Sequence, residues 1–379
     1  MIMWVFILGA AVAAAIAGAI YLVSRLRRFG VVKAVAGERE WLRRLLACVP
    51  LLCMAIYAVF DTVNAVIILL HLAAFWLIGD LVTAIVRRVR KRGAGKDGRF
   101  RVYWTGVIVL LVCAVYLAIG HYNAFHVDRT VYELTTDKSL PGGKLRVVLI
   151  ADSHVGTTFD AEGFEEYTKR IAAENPDLVI FAGDFVDDST SREDMVAACR
   201  ALGNIETKYG VFYAYGNHDK GYYNSRGYTP EELEEQLKSN GVTVLEDKTV
   251  SILNQVCIIG RMDASEGDRK NSTKKRMSME EITKGIDQSQ YTIVIDHQPN
   301  DYEAEAASGV DLVLSGHTHG GQLIPLGPIG LLMGANDAVY GKEVRGNTTF
   351  IVTSGISDWA IDYKTGTKSE YVVIDITGK

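Results

Sequence analysis

The chain has 379 residues, of which 49% are hydrophobic and 22% charged, with a formal net charge of −5 and a mean hydropathy of +0.11. This mix excludes a disordered chain, a collagen-like repeat and a coiled-coil array, and five cysteines in this length exclude a disulfide framework. The charge is unevenly divided. Residues 1–126 have 15 Lys and Arg against 5 Asp and Glu, whereas residues 127–379 have 25 against 40. A basic, apolar first third therefore precedes an acidic, globular remainder.

Four apolar stretches in the first third predict a four-helix transmembrane region over residues 1–122. They cover residues 2–23, 45–60, 63–86 and 102–120. A helix of about 20 residues crosses the ~30 Å hydrocarbon core of a bilayer, and four such stretches in succession exceed what a soluble core would bury. No charged residue precedes Ile2. The first stretch therefore lacks the positive region of a cleaved signal peptide and is expected to remain as a span.

The basic residues of the connecting loops predict the orientation of these spans. Residues 24–44 contain seven Lys and Arg and residues 87–101 contain eight, whereas the turn near Asp61 contains none. Positively charged loops stay in the cytoplasm. Four crossings then place the acidic remainder outside the cytoplasm, on a multi-pass protein of the plasma membrane, and an error of one span would reverse this. His71 and Asp80 lie nine residues apart within the third span and are expected to serve at the interface or in helix packing.

Beyond the spans, residues 123–144 read as a linker with a first strand at 127–134, and residues 145–379 as an α/β domain. Continuous apolar runs predict buried strands at 145–151, 178–182, 211–215, 292–295 and 312–314. Helical spacing covers 160–175, 189–202 and 230–240, and shorter strands are expected at 242–245, 249–253, 256–260, 350–353 and 371–376. Strands that alternate with helices predict a largely parallel sheet.

Polar residues follow five of these strands, directly after each strand ends. They are Asp152, Ser153 and His154; Gly183, Asp184 and Asp187; Gly216, Asn217, His218 and Asp219; Asp296 and His297; and Gly316, His317 and His319. Open α/β sheets bind ligands beyond the carboxyl ends of their strands. Five of the eight histidines lie in these clusters, which packing alone does not explain.

The donor types in these clusters predict a site for two divalent metal ions. Aspartate and histidine together suit Mn, Fe or Zn, whereas sites made of oxygen alone suit Mg or Ca. There are too many candidate ligands for one tetrahedral zinc. Two ions that share a bridging carboxylate would use them all. Such a pair stabilises the attacking and leaving oxygens of an in-line displacement at phosphorus.

The order and spacing of the clusters resemble the calcineurin-like metallophosphoesterase family over roughly residues 127–376. The matching motifs are Asp152-x-His154, Gly183-Asp184-x-x-Asp187, Gly216-Asn217-His218-Asp219, a single His297, and Gly316-His317-x-His319. The continuation Gly320-Gly321-Gln322 resembles the bacterial branch of membrane-anchored or exported phosphoesterases. The resemblance implies a four-layer α/β/β/α sandwich of two packed sheets.

The resemblance also implies a role for each residue of the site. One ion would be held by Asp152, His154 and His319, and the other by Asn217, His297 and His317. Asp184 would bridge the two ions. His218 would not be a ligand but would stabilise or protonate the leaving oxygen as a general acid. Asp187 would pair with His218 and keep it charged, and the role of Asp219 stays open.

Two departures from the family pattern bear on the substrate. Asp188 stands where the protein serine/threonine phosphatases of this superfamily carry an arginine that holds the substrate phosphate, and Asp219 stands where they carry glutamate. A phosphoprotein substrate is therefore disfavoured. Residues 354–371 also lack a clear form of the Arg-rich, Pro-Glu-containing stretch that the bacterial branch is expected to carry.

The sequence thus predicts a membrane-bound phosphoesterase for phosphomonoesters or phosphodiesters, with a substrate derived from lipid or the cell envelope, membrane lipid as a partner and no nucleic acid. An alternative is a lipid-directed pyrophosphatase or phosphodiesterase that resembles UDP-2,3-diacylglucosamine hydrolase. A non-catalytic receptor and a transporter are further alternatives, but the complete set of ligand positions weighs against the receptor. The basic run from Arg269 to Arg276 reads either as a solvated loop or as a contact for anionic substrate or lipid.

Overall fold

The computed structural model describes residues 2–89, 102–222, 226–268 and 275–379. The chain divides into two compact units, Met1–Ile119 and Gly120–Lys379.

The first unit is helical. Its helices are α1 (Ile2–Leu26), α2 (Gly30–Ala36), α3 (Glu40–Phe60), α4 (Thr62–Val89) and the first part of α5 (Trp104–Phe125). Within the described ranges, α1, α3, α4 and α5 are long and apolar enough to cross a membrane, as predicted. The short α2 lies inside the basic segment 24–44 and was not predicted.

Asp80 of α4 serves in helix packing, in agreement with the sequence. Its carboxylate lies 2.6 Å from Arg25 Nε and accepts a hydrogen bond of 2.7 Å from the Tyr21 hydroxyl, and both of these partners belong to α1. The ion pair therefore joins α1 to α4 next to the buried cluster of Leu22 and Trp76. His71 instead bonds within its own helix, to the carbonyl oxygen of Ile67.

The second unit contains, in the described residues, two six-stranded sheets. Their strands are β1 (Val127–Thr135), β2 (Lys144–Ile150), β3 (Leu178–Ala182), β4 (Val211–Ala214), β5 (Val242–Leu245), β6 (Lys248–Ile252), β7 (Val256–Gly260), β8 (Tyr291–Ile295), β9 (Leu312–Ser315), β10 (Gly341–Arg345), β11 (Thr348–Val352) and β12 (Ser369–Thr377). The first sheet has the order β1-β12-β2-β3-β4-β5 and the second β10-β11-β9-β8-β7-β6. The strands β2 to β5 and β7, β8, β9 and β11 are parallel, whereas β12, β6 and β10 each run antiparallel to a neighbour.

Helices cover the outer faces of both sheets. α6 (Ala161–Ala172), α7 (Arg192–Gly203) and α8 (Pro230–Ser239) pack on the first sheet, and α9 (Met279–Thr283) and α10 (Tyr302–Ala307) on the second. A third buried cluster fills the space between the sheets, with Leu149 and Ile180 facing Ile258 and Ile293. The four layers are those of the α/β/β/α sandwich that the resemblance implied.

Local sequence explains where the three longer helices begin. Asp160, Ser191 and Thr229 precede α6, α7 and α8, and each side chain accepts a hydrogen bond from a backbone N–H of the first turn. Such caps satisfy donors that have no partner within the helix. The predicted helices at 160–175, 189–202 and 230–240 are confirmed, with bounds that differ by at most three residues. The shorter helices α9, α10 and α11 (Leu326–Leu332) were not predicted.

Candidate metal centre

The predicted site residues follow five strands whose carboxyl ends lie at one edge of the sandwich. Backbone hydrogen bonds connect the loops that carry them. The N–H of Asp152 donates to Gly183 O at 3.0 Å, that of His154 to Asp184 O at 3.1 Å, and that of Gly316 to His297 O at 3.0 Å. These bonds join neighbouring loops within each sheet, and the N–H of His317 joins the two sheets by donating to Asp152 Oδ1 at 2.9 Å.

Two groups of candidate metal ligands form at this edge. The ligand atoms of Asp152, His154 and His319 all lie within 4.8 Å of one another, and so do those of Asp184, His297 and His317. Five of the six residues are buried and the sixth, His317, is half-buried. A buried group of carboxylates and imidazoles at such distances is the donor set that a borderline divalent ion requires.

Asp184 lies between the two groups. Its Oδ2 is 3.2 Å from His297 Nε2 in the second group and 3.7 Å from His154 Nε2 in the first. Burial alone would raise the pKa of this carboxyl, but His297, His218 and His154 hold it well below its ordinary value. An ionised carboxylate in this position can share its oxygens between two cations.

Asn217 completes the second group. Its Oδ1 lies 2.7 Å from His317 Nδ1 and 3.1 Å from His297 Nε2. An amide oxygen that meets two imidazole nitrogens is a further candidate ligand of neutral charge. The seven residues predicted to bind metal are therefore all at one place.

The state of His154 tests whether the residues fit metal ions. Its side chain is fully buried, yet neither Nδ1 nor Nε2 has a hydrogen-bond partner among the described residues. A buried polar atom without a partner is costly. A divalent ion bound by one ring nitrogen would remove part of that cost, so the residues present fit the metal pair.

The backbone of the site adopts an uncommon conformation. Five candidate ligand residues have positive φ angles: Asp152 (55°), His154 (36°), Asp184 (55°), His317 (71°) and His319 (47°). Residues other than glycine seldom occupy this left-handed region, and such strain concentrates at functional sites. The surrounding hydrogen bonds hold these residues in conformations that aim their side chains at a common centre.

Glycines leave room for the ligand side chains. Gly183 has φ of +80°, and a Cβ there would lie 2.5 Å from Gly216 N and 2.7 Å from His297 Nδ1. A side chain at this position would therefore displace a metal-facing imidazole.

Asp219, whose role the sequence left open, connects two of the ligand loops. Its fully buried carboxylate accepts hydrogen bonds from the backbone N–H groups of Asp184 (2.9 Å), Phe185 (2.8 Å), Val186 (3.2 Å) and Gly216 (2.6 Å). The loop of Asp184 and the loop of Asn217 are thus tied to one side chain. Asp219 orients ligands without facing the metal groups itself.

Hydrogen bonds to the second ring nitrogen orient two of the histidines. His297 Nδ1 donates to Ala182 O at 2.7 Å, which directs Nε2 toward Asp184. His319 Nδ1 lies 3.3 Å from Ser357 O, which leaves its Nε2 facing Asp152. Partners of this kind fix the tautomer of a metal-binding histidine.

Asp187, which was expected to pair with His218, contacts two other residues in the structure. Asp187 Oδ2 lies 3.6 Å from His154 Nδ1, and Asp187 Oδ1 accepts hydrogen bonds from the N–H and hydroxyl of Ser189. The Ser189 contacts turn the carboxylate toward the candidate ligand His154, although the distance is too long for a hydrogen bond. Proximity in the motif did not reveal this because the turn at Ser189 sets the direction of the side chain.

His218 had been expected to stay charged, and the structure does not agree with that expectation. Burial lowers the pKa of its imidazole to about 4, and the nearby carboxylate of Asp184 does not compensate. The ring is therefore neutral near pH 7. It packs against His154, with ring centroids 5.0 Å apart, and is flanked by Tyr222 at 5.1 Å and Trp359 at 5.4 Å.

Comparison with known proteins agrees with this geometry. Residues 145–321 match the family profile described as calcineurin-like phosphoesterase. Residues 145–321 form a calcineurin-like phosphoesterase domain. This family hydrolyses phosphoesters and typically uses a dinuclear metal centre, so the chain is a metallophosphoesterase and its two ligand groups are candidates for such a centre.

Several relatives can be aligned with most of the length of this chain. A "transmembrane protein with metallophosphoesterase domain" of Danio rerio is 29% identical over 88% of this chain and 73% of its own length. An uncharacterized metallophosphoesterase of Campylobacter jejuni is 28% identical over 79% of this chain and 76% of its own length. Among solved structures, a dimetal phosphatase of Danio rerio has a TM-score of 0.34 and 14% identity over 55% of this chain and 86% of that one.

A buried lysine and aspartate near the metallophosphoesterase centre were not predicted. Lys364 Nζ is fully buried and donates to Ser354 O (2.7 Å), Ser357 O (3.1 Å) and Ser369 Oγ (3.0 Å). It also lies 3.2 Å from Asp358 Oδ1, which is 3.6 Å from His319 Nδ1. Neither residue belongs to a recognisable motif. The two residues meet because their loop folds onto the core, and the sequence gives no sign of that folding.

The basic run of the metallophosphoesterase is only partly described. Arg269, Lys270 and Lys274 lie outside the described residues. Arg276 forms an ion pair with buried Asp296, which also lies 3.0 Å from Arg261. Arg276 therefore belongs to an internal ion cluster and is not a solvated or lipid-binding cation. Asp296, which had been grouped with the strand-end clusters, faces this ion cluster and not the metal ligands.

Proposed function

We propose that the chain is a membrane-bound phosphoesterase that hydrolyses phosphomonoesters or phosphodiesters with two divalent ions. One ion would be held by Asp152, His154 and His319, the other by Asn217, His297 and His317, and both by Asp184. The observation that carries the proposal is the position of Asp184 Oδ2, which is 3.2 Å from His297 Nε2 and 3.7 Å from His154 Nε2. A carboxylate that bound a single ion would need to approach the histidine nitrogens of one group only, whereas a shared carboxylate must approach those of both groups.

The ions, when bound, would supply charge for the transferred phosphoryl group and an acidified water as nucleophile. Mn, Fe and Zn all suit the imidazole and carboxylate donors. Asp219 and the backbone bonds between the loops would keep the ligands in place without rearrangement during the reaction. Asp187 would hold the His154 ring, since its carboxylate faces Nδ1 at 3.6 Å.

His218 would act on the leaving oxygen. A neutral imidazole has one N–H, which can donate a hydrogen bond to an oxygen that becomes negative. The backbone N–H of His218 donates to Asp184 Oδ1 at 2.8 Å, which fixes the loop of this histidine relative to the bridging carboxylate. Tyr222 and Trp359 on either side would limit the directions from which a substrate approaches the ring.

The substrate would be a phosphoester of lipid or of the cell envelope. Four candidate membrane spans are present among the described residues, and the Danio rerio relative is named as a transmembrane protein. Asp188 supports this choice over a phosphoprotein, because its carboxylate accepts the N–H of Tyr222 at 3.1 Å and adds negative charge where the protein phosphatases carry arginine. An acidic group at that place disfavours a phosphorylated peptide.

We place the chain in the plasma membrane with the metal centre outside the cytoplasm, because both predicted inner loops are basic. Protease added to intact spheroplasts should digest residues 120–379 and leave the spans. Survival of this unit until the cells are lysed would put it in the cytoplasm and would remove envelope phosphoesters as substrates.

The activity is tested with the full-length protein in detergent, freed of metal and reloaded with Mn. The panel comprises a soluble aryl phosphate, glycerophosphate, nucleotides, a phosphatidate, a phospholipid diester and a nucleoside-diphosphate lipid. We expect hydrolysis of lipid phosphoesters, with loss in His218→Ala and no change in His126→Ala, whose half-exposed histidine lies outside the site. No hydrolysis of any member with Mn, Fe or Zn would contradict the proposed function.

A further inference from the structure

An exposed apolar surface lies next to the candidate metal centre, on the segment that follows His319. From Gly320 to Asn336 the sequence contains no charged residue and no histidine. The segment includes α11 and exposes large apolar side chains to solvent. They are Ile324, Leu326, Ile329, Leu331, Leu332 and Met333, with Leu332 87% and Met333 68% exposed. We call these six residues the apolar segment.

The base of the apolar segment is attached firmly to the domain. Leu323 is buried, and the buried Gly327 lies so close to Gly321 that a Cβ on it would be 3.2 Å from Gly321 Cα. Thr318 Oγ1 donates to Val339 O on the other side of the segment. The exposed side chains therefore project from a supported base, and a large apolar area left in water is unfavourable unless something covers it.

The segment is joined by hydrogen bonds to residues 361–365. Ile324 N donates to Thr365 Oγ1 at 2.9 Å, and Thr365 N donates to Gln322 O at 2.8 Å. Gln322 Nε2 donates to Ile361 O at 3.2 Å. These bonds keep the apolar segment beside this second loop.

The same loop is bonded to the end of the last candidate span. Lys364 N donates to Gly120 O at 2.9 Å, and Asn123 Nδ2 donates to Lys364 O at 3.2 Å. Gly120 and Asn123 belong to the second unit and lie in the final turns of α5, the helix that contains the fourth candidate span. Thr365 and Lys364 therefore link the apolar segment to the last turns of α5, which belong to the same unit.

Aromatic side chains at the same end of α5 agree with a membrane boundary there. Tyr122 and Phe125 are exposed in its last turns. Tyrosine and tryptophan are enriched where a membrane meets water, and Trp359, which is also exposed, flanks His218. An uncharged, apolar surface near such a boundary fits hydrocarbon and not an ionic partner.

We propose that the apolar segment inserts into the interfacial layer of the lipid bilayer and thereby holds the metal centre against the membrane surface. The inference does not depend on the proposed substrate, because it concerns contact with bulk lipid. The absence of charge in the segment predicts that insertion needs no anionic lipid. It should also survive 1 M salt, where the screening length falls to about 3 Å.

The test uses the full-length protein in phosphatidylcholine vesicles, without substrate, and a carbene photolabel that partitions into the hydrocarbon. Peptides that contain Leu331, Leu332 and Met333 should be labelled along with peptides of α3 and α4. Leu253 and Val344 are 66% and 62% exposed on the same unit and serve as matched internal controls. They should remain unlabelled.

The double variant Leu332→Asp/Met333→Asp should reduce labelling of the segment to the level of Leu253. Both side chains are exposed, so hydrolysis of a soluble aryl phosphate should be unchanged, whereas hydrolysis of a phosphoester in the vesicle should fall. Labelling is read independently of activity, so an inactive protein that is labelled would refute the proposed function and leave this inference supported.

Three results would overturn the inference. The segment could be labelled no more than Leu253 while the spans are labelled. It could be labelled only after a lipid substrate is added, which would indicate a binding site for one acyl chain. It could be protected and form disulfide-linked dimers as Leu332→Cys, which would indicate contact with a second copy of the chain.

Discussion

Replacing Asp219 by asparagine tests how the metal centre is held together. Each carboxylate oxygen of Asp219 accepts two backbone N–H groups: Oδ1 those of Phe185 and Val186, and Oδ2 those of Asp184 and Gly216. In Asp219→Asn one oxygen becomes an NH2 group, which cannot accept a hydrogen bond and faces two donors. Two buried N–H groups then lose their partner.

The magnitude follows from those two groups. A buried donor left without a partner costs about 1–3 kcal/mol, so the variant should lose about 2–6 kcal/mol of stability. For a domain of this size 1 kcal/mol corresponds to about 2–4 °C, so the unfolding temperature should fall on the order of 10 °C. The loop of Asp184 should also loosen, which lowers metal affinity.

Thermal unfolding of the detergent-solubilised protein can be followed with a thiol-reactive fluorescent dye, because Cys199 and Cys257 are buried in the second unit. Asp188→Asn is a suitable control, since the half-exposed Asp188 accepts the N–H of Tyr222 and asparagine retains one acceptor oxygen. A change below about 1 kcal/mol is expected there. If Asp219→Asn unfolds at the wild-type temperature, or no earlier than the control, the four hydrogen bonds do not organise the site.

Three further predictions concern the same centre. His218→Ala should slow hydrolysis of an alkyl phosphate by about 10²–10³-fold and that of an activated aryl phosphate less, and equal losses would exclude a hydrogen bond from His218 to the leaving oxygen. Asp358→Asn should weaken metal binding by about 10–100-fold through His319 without loss of the fold, and unchanged affinity would make Asp358 irrelevant to that ligand. Treatment with a chelator should lower the unfolding temperature of the wild type, and added Mn should restore it, because ions that bind only the native state stabilise it. If neither the chelator nor added Mn changes the unfolding temperature, the ligand groups hold no ion.

The clustering of the candidate ligands was predictable because each of them follows a recognisable buried strand. Runs such as residues 145–151 and 178–182 mark parallel strands, and parallel strands bring their carboxyl ends to one edge. The position of Asp184 between two groups also agreed with what the family resemblance implied. Helical spacing predicted the starts of α7 and α8 within a few residues, and Ser191 and Thr229 cap these helices in the structure.

What could not be predicted depends on the direction of single side chains. Asp187 turns toward His154 because Ser189 hydrogen-bonds its other oxygen, and nothing in the spacing of the motif encodes that turn. The Asp219 carboxylate accepts hydrogen bonds from the backbone of two loops that are 30 residues or more apart in sequence. The placement of Lys364 beside Asp358 depends on how the loop before β12 folds over the sheet edge.

The organisation into two sheets likewise required the family resemblance. Residues 371–376 read as one more strand at the end of the chain, but β12 lies between β1 and β2 and runs antiparallel to β2. Hydrophobic runs identify strands and give no neighbours or directions.

The metal content of the purified full-length protein, wild type and Asp184→Asn, tests the central claim most directly. The account predicts two ions per chain in the wild type and loss of metal together with loss of phosphoester hydrolysis in the variant, because both ions depend on one carboxylate. Two ions retained in Asp184→Asn, or full hydrolysis by a wild-type chain that holds one ion or none, would contradict it.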